Sequence, residues 1–194
     1  MIDIEKYREQ LEKYNSINRI NPIARGLGPE DALILMHYIS ELKSGDTYVE
    51  IGTSEGYSLL LMAWFRPDLN CYGIEINSNA TKLIKGIAEE LNFKNVNLIT
   101  GDSMEACKEW DKKIDLLFID GDHMFPQIFY DFVGWYPYVE TGKNIIFHDF
   151  ETWQEGKHQI GLAARVFQRH KKYNFYSAAL DDNISSSIIR IIKP

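Results

Sequence analysis

Apolar residues fall into two rhythms along this chain. Ile4, Tyr7, Leu11 and Tyr14 recur at spacings of three and four, the stripe of a helix that packs across a core or a partner. NPIARGLGPED interrupts it, and Pro29 with Glu30 and Asp31 then starts a second helix to about Leu42, since proline and acids suit a first turn. Beyond that point short apolar runs alternate with amphipathic stretches. TYVEI (47–51), NCYGIEI (70–76), VNLIT (96–100), IDLLFI (114–119) and NIIFH (144–148) read as strands. Helices are expected from about Gly56 to Phe65, Asn79 to Leu91, Ser103 to Trp110, Pro126 to Tyr136 and Gly161 to Lys172. YNFYSAAL and SSIIRII end the chain as two strands, and the AspAspAsn between them predicts a hairpin.

Nearly continuous apolar strands alternating with helices predict an α/β, doubly wound, mostly parallel seven-stranded sheet covered on both faces. The closing hairpin adds an antiparallel C-terminal strand. No repeat, low-complexity tract or linker divides the sequence. It therefore reads as a single domain over 1–194, with an N-terminal helical extension (1–44) and a Rossmann-like core (45–194).

Composition narrows the partners. With 194 residues, 45% hydrophobic, the chain can bury a substantial core. Net charge is −7 and no block of lysine or arginine offers a footprint for a phosphate backbone, so no nucleic-acid partner is expected. Cys71 and Cys107 stand in no ligand-like or CxxC spacing, which points to reduced, half-buried thiols. No apolar run approaches the roughly 20 residues needed to span a bilayer, and the charged amino terminus is unlike a signal peptide. No membrane partner and a cytoplasmic location are the default reading.

The turn VEIGTSEG (49–56) carries the first chemical signal. In a doubly wound sheet, ligands sit beyond the carboxyl ends of strands where strand order reverses. Gly52 lets the backbone turn tightly there, Gly56 permits entry into the next helix, and Glu50 sets a carboxylate beneath the turn. A carboxylate repels a pyrophosphate and attracts an ammonium, so ExGxxxG differs from the GxGxxG of dinucleotide sites. Glu75 follows at the next strand end, where it can accept both hydroxyls of a ribose. TGDSME then offers Asp102 to an adenine amino group and Ser103 as a helix cap. Each acid alone also reads as a capping residue; three acidic strand ends in succession read as a site.

VEIGTSEG, YGIEIN, ITGDSM and IDLLFIDGDH resemble, in order, the successive motifs of class I S-adenosylmethionine-dependent methyltransferases, across about residues 45 to 150. GLGPEDALILMHYISELKSG and GKNIIFHDF look like the branch with catechol-type and antibiotic sugar O-methyltransferases and cephalosporin-hydroxylase-like proteins. The resemblance implies S-adenosylmethionine as cofactor. It puts Glu50 and Gly52 at the methionine moiety, Glu75 at the ribose, and Asp102 with Ser103 at the adenine, with Ser54, Gly56 and Asp120 completing the set.

FIDGDH (118–123) and FHD (147–149) close two further strands, bringing Asp120, Asp122, His123, His148 and Asp149 to the mouth of that site. Such groups suit a divalent cation, magnesium if oxygens dominate and manganese, iron or zinc if imidazoles join. By resemblance to the metal-dependent O-methyltransferases, Asp120 and Asp149 match two ligand positions. The third falls to His148 or to Phe150, which cannot ligate. His123 stands where catechol-type enzymes carry a lysine base, so Asp120 and His123 are the candidate catalytic pair. A solvated turn at Asp122–His123 and a cap at Asp149 are the competing structural reading.

Phe125, Phe129, Tyr130, Trp135, Tyr136, Tyr138, Phe150 and Trp153 lie near these motifs, either as core or as an acceptor pocket. The leading expectation is methyl transfer to a hydroxyl of a small-molecule or sugar acceptor, with a homo-oligomer left open. A non-catalytic cofactor-binding module is the alternative, and a nicotinamide-dependent oxidoreductase a more distant one.

Overall fold

The computed structural model describes residues 4–17, 20, 26–124, 126–149, 175–177 and 188–194. Two helices, α1 (Ile4–Asn15) and α2 (Pro29–Ser40), precede an alternating run: β1 (Thr47–Ile51), α3 (Tyr57–Phe65), β2 (Asn70–Glu75), α4 (Ser78–Glu90), β3 (Val96–Thr100), α5 (Ser103–Lys108), β4 (Ile114–Ile119), α6 (Gln127–Trp135) and β5 (Val139–Phe147). β6 (Phe175–Ser177) and β7 (Ile189–Ile192) follow. Phe125, Phe150, Trp153, the helix expected near Gly161–Lys172 and the AspAspAsn turn lie outside the described residues.

The strands form one seven-stranded sheet in the order β3-β2-β1-β4-β5-β7-β6. β1 to β5 pair in parallel, while β7 runs antiparallel to both β5 and β6. The expected α/β architecture is therefore present, with the antiparallel strand one place in from the edge. β5 begins earlier than NIIFH indicated. Val139 already pairs with Ile114, and the register then shifts before Leu116 meets Asn144. The polar stretch Glu140–Asn144 and the left-handed Gly142 (φ 81°) hid this strand's first half from an apolar-run reading.

Alternation along the strands explains why both faces are covered. Tyr48, Leu116, Phe118 and Ile146 point into a core shared with α1, α2, α3 and α4. Their neighbours Val49, Ile51, Leu117, Ile119, Ile145 and Phe147 point into a second core with α5 and α6, where Phe132 and Trp135 are buried. The N-terminal helices belong to the first core. Tyr14 is fully buried and donates its hydroxyl to the Tyr57 carbonyl at 2.9 Å, while Tyr57 returns a bond to Asn15 Oδ1 at 2.7 Å. Cys71 and Cys107 are free and buried, more so than expected. Among the described residues no helix is long and apolar enough to cross a membrane.

The order 3-2-1-4-5 places the site. The chain leaves β1 outward through β2 and β3, then returns to lay β4 on the other side of β1. The carboxyl ends of β1 and β4 thus meet at the reversal point, where a crevice opens between diverging connections.

Candidate functional site

Gly52 ends β1 with φ 83° and donates its N–H to the Ile74 carbonyl at 2.9 Å. A Cβ on it would stand 2.6 Å from the Asp120 carbonyl oxygen and the Gly121 amide, so only glycine lets the β1 and β4 turns approach this closely. Gly56 (φ 90°) caps α3, and a Cβ there would strike Ile84 of α4 at 2.5 Å. Gly52 therefore serves the packing of two turns, and Gly56 the packing of the start of α3 on α4.

Two cavities flank this turn. The larger, about 570 Å³, is lined by Gly52, Ser54, Glu75, Asp102, Ser103 and Asp120 among others. The smaller, about 260 Å³, lies toward the N-terminal segment and is lined by Leu27, Tyr57, Ser58, His123, His148 and Asp149 among others. Gly52, Ser54, Glu55 and Asp120 border both.

On the larger side the acids are held by backbone amides. Ser54, in the left-handed region at φ 48°, donates its N–H to Glu75 Oε2 at 2.7 Å, and the Asn77 N–H reaches Glu75 Oε1 at 2.8 Å. One carboxylate so fixes two loops, and its remaining lone pairs border the cleft. Asp102 caps α5 through Oδ1, which accepts from Met104 N at 2.8 Å and Glu105 N at 3.2 Å. The capping function expected of Ser103 thus falls to Asp102. Ser103 instead donates its hydroxyl to Asp131 of α6, which is 1% exposed and also accepts from Gln127 at 3.0 Å.

Glu50 lies beneath the turn but does not line the larger cavity. It is fully buried, its oxygens accepting from Tyr48 and Ser58 at 2.6 Å each. Burial pushes its carboxyl up to about 8, against the pull of those two donors. Glu50 is therefore neutral near pH 7 in this state and braces β1 against α3, a different task from a charged acid exposed to an ammonium.

Toward the smaller cavity, acids are paired with imidazoles. Asp120 Oδ1 lies 2.8 Å from His148 Nδ1 and 3.3 Å from His123 Nε2. Each ring presents its other nitrogen to a further carboxylate: His148 Nε2 to Asp31 at 3.3 Å, and His123 Nδ1 to Asp149 at 3.2 Å. For His148, burial lowers the pKa, but hydrogen bonds to Asp120 and Asp31 outweigh it and push it up to about 10. His123 follows the same balance with Asp120 and Asp149 and rises to about 9. Both rings carry protons near neutral pH. Asp149 holds its place with a left-handed backbone, φ 58°.

A divalent ion fits this set in a form slightly different from the expected one. Asp120, His123 and His148 bring one donor atom each to within 4.8 Å of one another, so His123 takes the place given to Asp149. Asp149 and Asp31 then sit behind the two rings, the position from which a carboxylate orients a metal-bound imidazole. Two nitrogens and one oxygen favour zinc, iron or manganese over magnesium.

Asp31, Gln127 and Asp131 were missed as site residues. The first turn of α2 accounted for Asp31 by helix-dipole logic alone, and the amphipathic pattern of α6 gave no reason to single out its polar positions. The aromatic residues resolve toward core: Trp135 is fully buried, Phe129, Tyr136 and Tyr138 pack on the second core, and Tyr130 is exposed. None of these lines either cavity; Tyr57 does.

Comparison with known proteins sets this geometry in context. Residues 49–150 match the family described as Methyltransferase domain. The protein-L-isoaspartate O-methyltransferase of Petrotoga mobilis is 34% identical over 107 residues, 54% of this chain and 48% of that protein. The ribosomal RNA small subunit methyltransferase G of Fusobacterium nucleatum is 29% identical over 118 residues, 57% of this chain and 49% of that protein. The chain spans about half the length of these curated relatives. The O-methyltransferase TomG of Streptomyces achromogenes, involved in tomaymycin synthesis and solved with S-adenosylmethionine, superposes with a TM-score of 0.71 at 14% identity, covering 100% of both chains. An RNA-directed enzyme among the relatives overturns the expectation that nucleic acid is excluded. Net charge of −7 sums the whole surface, including acids spent on strand ends and helix caps, and so says little about one local face.

Proposed function

Since the chain belongs to the methyltransferase-domain family, we propose that it binds S-adenosylmethionine across the two cavities and transfers its methyl group to an oxygen of a hydroxylated small molecule or sugar. The adenosine part occupies the larger cavity, with the ribose hydroxyls on Glu75. The methionine end passes Gly52 into the smaller cavity. One observation carries this reading: both cavities are lined by Asp120, the residue tied to His123 and His148. A methyl carried on sulfur beside Asp120 would face His123 and His148, which line the smaller cavity and pair with that carboxylate.

Methyl transfer needs the acceptor oxygen held in line behind the methyl and relieved of its proton. Asp120 and His123 are positioned for the second task, with Asp149 fixing the His123 ring. With a divalent ion held by Asp120, His123 and His148, His123 would instead serve as a ligand, and the ion would take over that task by lowering the pKa of an acceptor hydroxyl. Calorimetry with S-adenosylhomocysteine tests the cofactor, and formation of S-adenosylhomocysteine from labelled cofactor with a panel of catechols and sugars tests the acceptor. Failure to bind S-adenosylhomocysteine at micromolar concentrations would sink the reading.

The relation to an RNA methyltransferase supports a second reading, in which the acceptor is a nucleotide of RNA. The same labelled cofactor, offered with total RNA and with the hydroxylated panel, separates the two by which fraction retains the label.

A further inference from the structure

The larger cavity is lined by a carboxylate with a specific vacancy in its hydrogen bonding. Asp131 reaches this wall from the first turns of α6 and is 1% exposed. Its Oδ1 is loaded, accepting from the Ser103 hydroxyl and from Gln127 Nε2 at 3.0 Å. Its Oδ2 accepts nothing from the described residues, yet it is not among their sealed side-chain atoms that lack a hydrogen bond. The small exposure that remains to Asp131 therefore opens on the cavity it lines. Oδ2 faces Gly121, where a Cβ would stand 3.6 Å from it and narrow the approach.

A buried carboxylate with one oxygen braced and the other bare is costly unless a donor arrives. The bracing donors fix the plane of the group, so the bare oxygen has a set direction. Asp102, the residue the motif pattern gives to an adenine amino group, already uses Oδ1 to cap α5 and is exposed.

We propose that Asp131, braced by Ser103 and Gln127, accepts the exocyclic amino N–H of the cofactor's purine and so selects a 6-amino over a 6-oxo purine. Resting on the cofactor reading above, this assigns the base-specificity determinant to α6. A 6-oxo purine would turn a carbonyl oxygen toward Oδ2 and leave two acceptors facing each other. Burial raises the Asp131 pKa, its two donors lower it, and the neighbouring acids Asp102 and Asp122 add to the rise.

The test compares binding of S-adenosylhomocysteine and S-inosylhomocysteine by calorimetry, in the wild-type protein and in Asp131→Asn. The wild type should favour the adenosine compound by roughly 10- to 100-fold, the worth of a hydrogen bond to a charged group. Asp131→Asn is nearly isosteric. Its amide oxygen can keep the Ser103 and Gln127 bonds while its NH₂ replaces Oδ2, so the preference should collapse or reverse toward the 6-oxo compound. A purely structural role would weaken both ligands alike, and thermal melts of the variant separate misfolding from altered selectivity. Equal wild-type affinity for the two compounds, or an unchanged ratio in the variant, overturns the proposal. A wild type that binds neither compound overturns the cofactor reading and this proposal with it.

Discussion

The two sides of the Gly52 turn use the same residue types in opposite ways. Toward the larger cavity, Glu75 and Asp102 accept from backbone amides of Ser54, Asn77, Met104 and Glu105. Those donors never titrate, so the groups that hold this half in place do not change with pH. Toward the smaller cavity, Asp31, Asp120 and Asp149 are joined by His123 and His148, whose protons can leave or be replaced by a cation. Under the proposed function, the same carboxylate chemistry serves as a holding half and a reacting half, and the partner decides which.

The sharpest way to break the contrast is to remove the ring that borders the reaction. His123→Ala should lower kcat by about 10²- to 10⁴-fold, the usual contribution of a positioned base, and leave S-adenosylhomocysteine affinity nearly unchanged. In the parent, the base form of His123 grows as pH rises toward its pKa of about 9, so the rate should climb from neutral pH toward that value. A variant that transfers methyl groups at the parent rate would move the base to His148, to Asp120 or to a metal-bound hydroxide.

The complementary variant attacks the holding half. Glu75→Ala removes an acceptor for the ribose and also frees the Ser54 and Asn77 amides. Affinity for S-adenosylhomocysteine should fall roughly 10- to 100-fold, while the pH dependence of turnover at saturating cofactor keeps its shape. If the two variants shifted affinity and pH profile together, the division into two halves would be wrong.

The same contrast explains what the sequence made legible. Gly52, Glu75, Asp102 and Asp120 each follow or close an apolar strand run, and each parallel strand delivers its last residue to one edge, so the pattern of runs reveals them. Contacts across long separations leave no such trace. Asp31 lies 117 residues from His148, and Ser103 lies 28 from Asp131. Nothing local distinguishes an acid in a helix's first turn from one that also reaches a histidine. Glu50 illustrates the converse: its position was legible, but its burial against Tyr48 and Ser58, and hence its raised pKa, depended on how α3 packs. The length of β5 was obscured for a local reason, the polar residues of its first half.

A smaller effect separates the halves through stability, and its sign follows from His148. In the folded state this ring titrates at about 10, against an ordinary value of 6.5, because Asp120 and Asp31 stabilise its charged form. A group whose pKa is raised on folding contributes its full stabilisation below the unfolded pKa and loses it as pH climbs through the folded value. The reacting half should thus make the protein most stable below about pH 6.5 and progressively less so up to about pH 10. Asp31→Asn removes one of the two carboxylates. It should cost on the order of 1 kcal/mol near pH 6, since a hydrogen bond to a charged group is lost, and less at the alkaline end where the ring is neutral in both proteins. Melting temperatures measured on both proteins between pH 6 and pH 10 should therefore converge as pH rises. Parallel curves would mean that the Asp31 contact stabilises α2 by packing alone, and that the charge on His148 is held by Asp120 without help from the N-terminal helices.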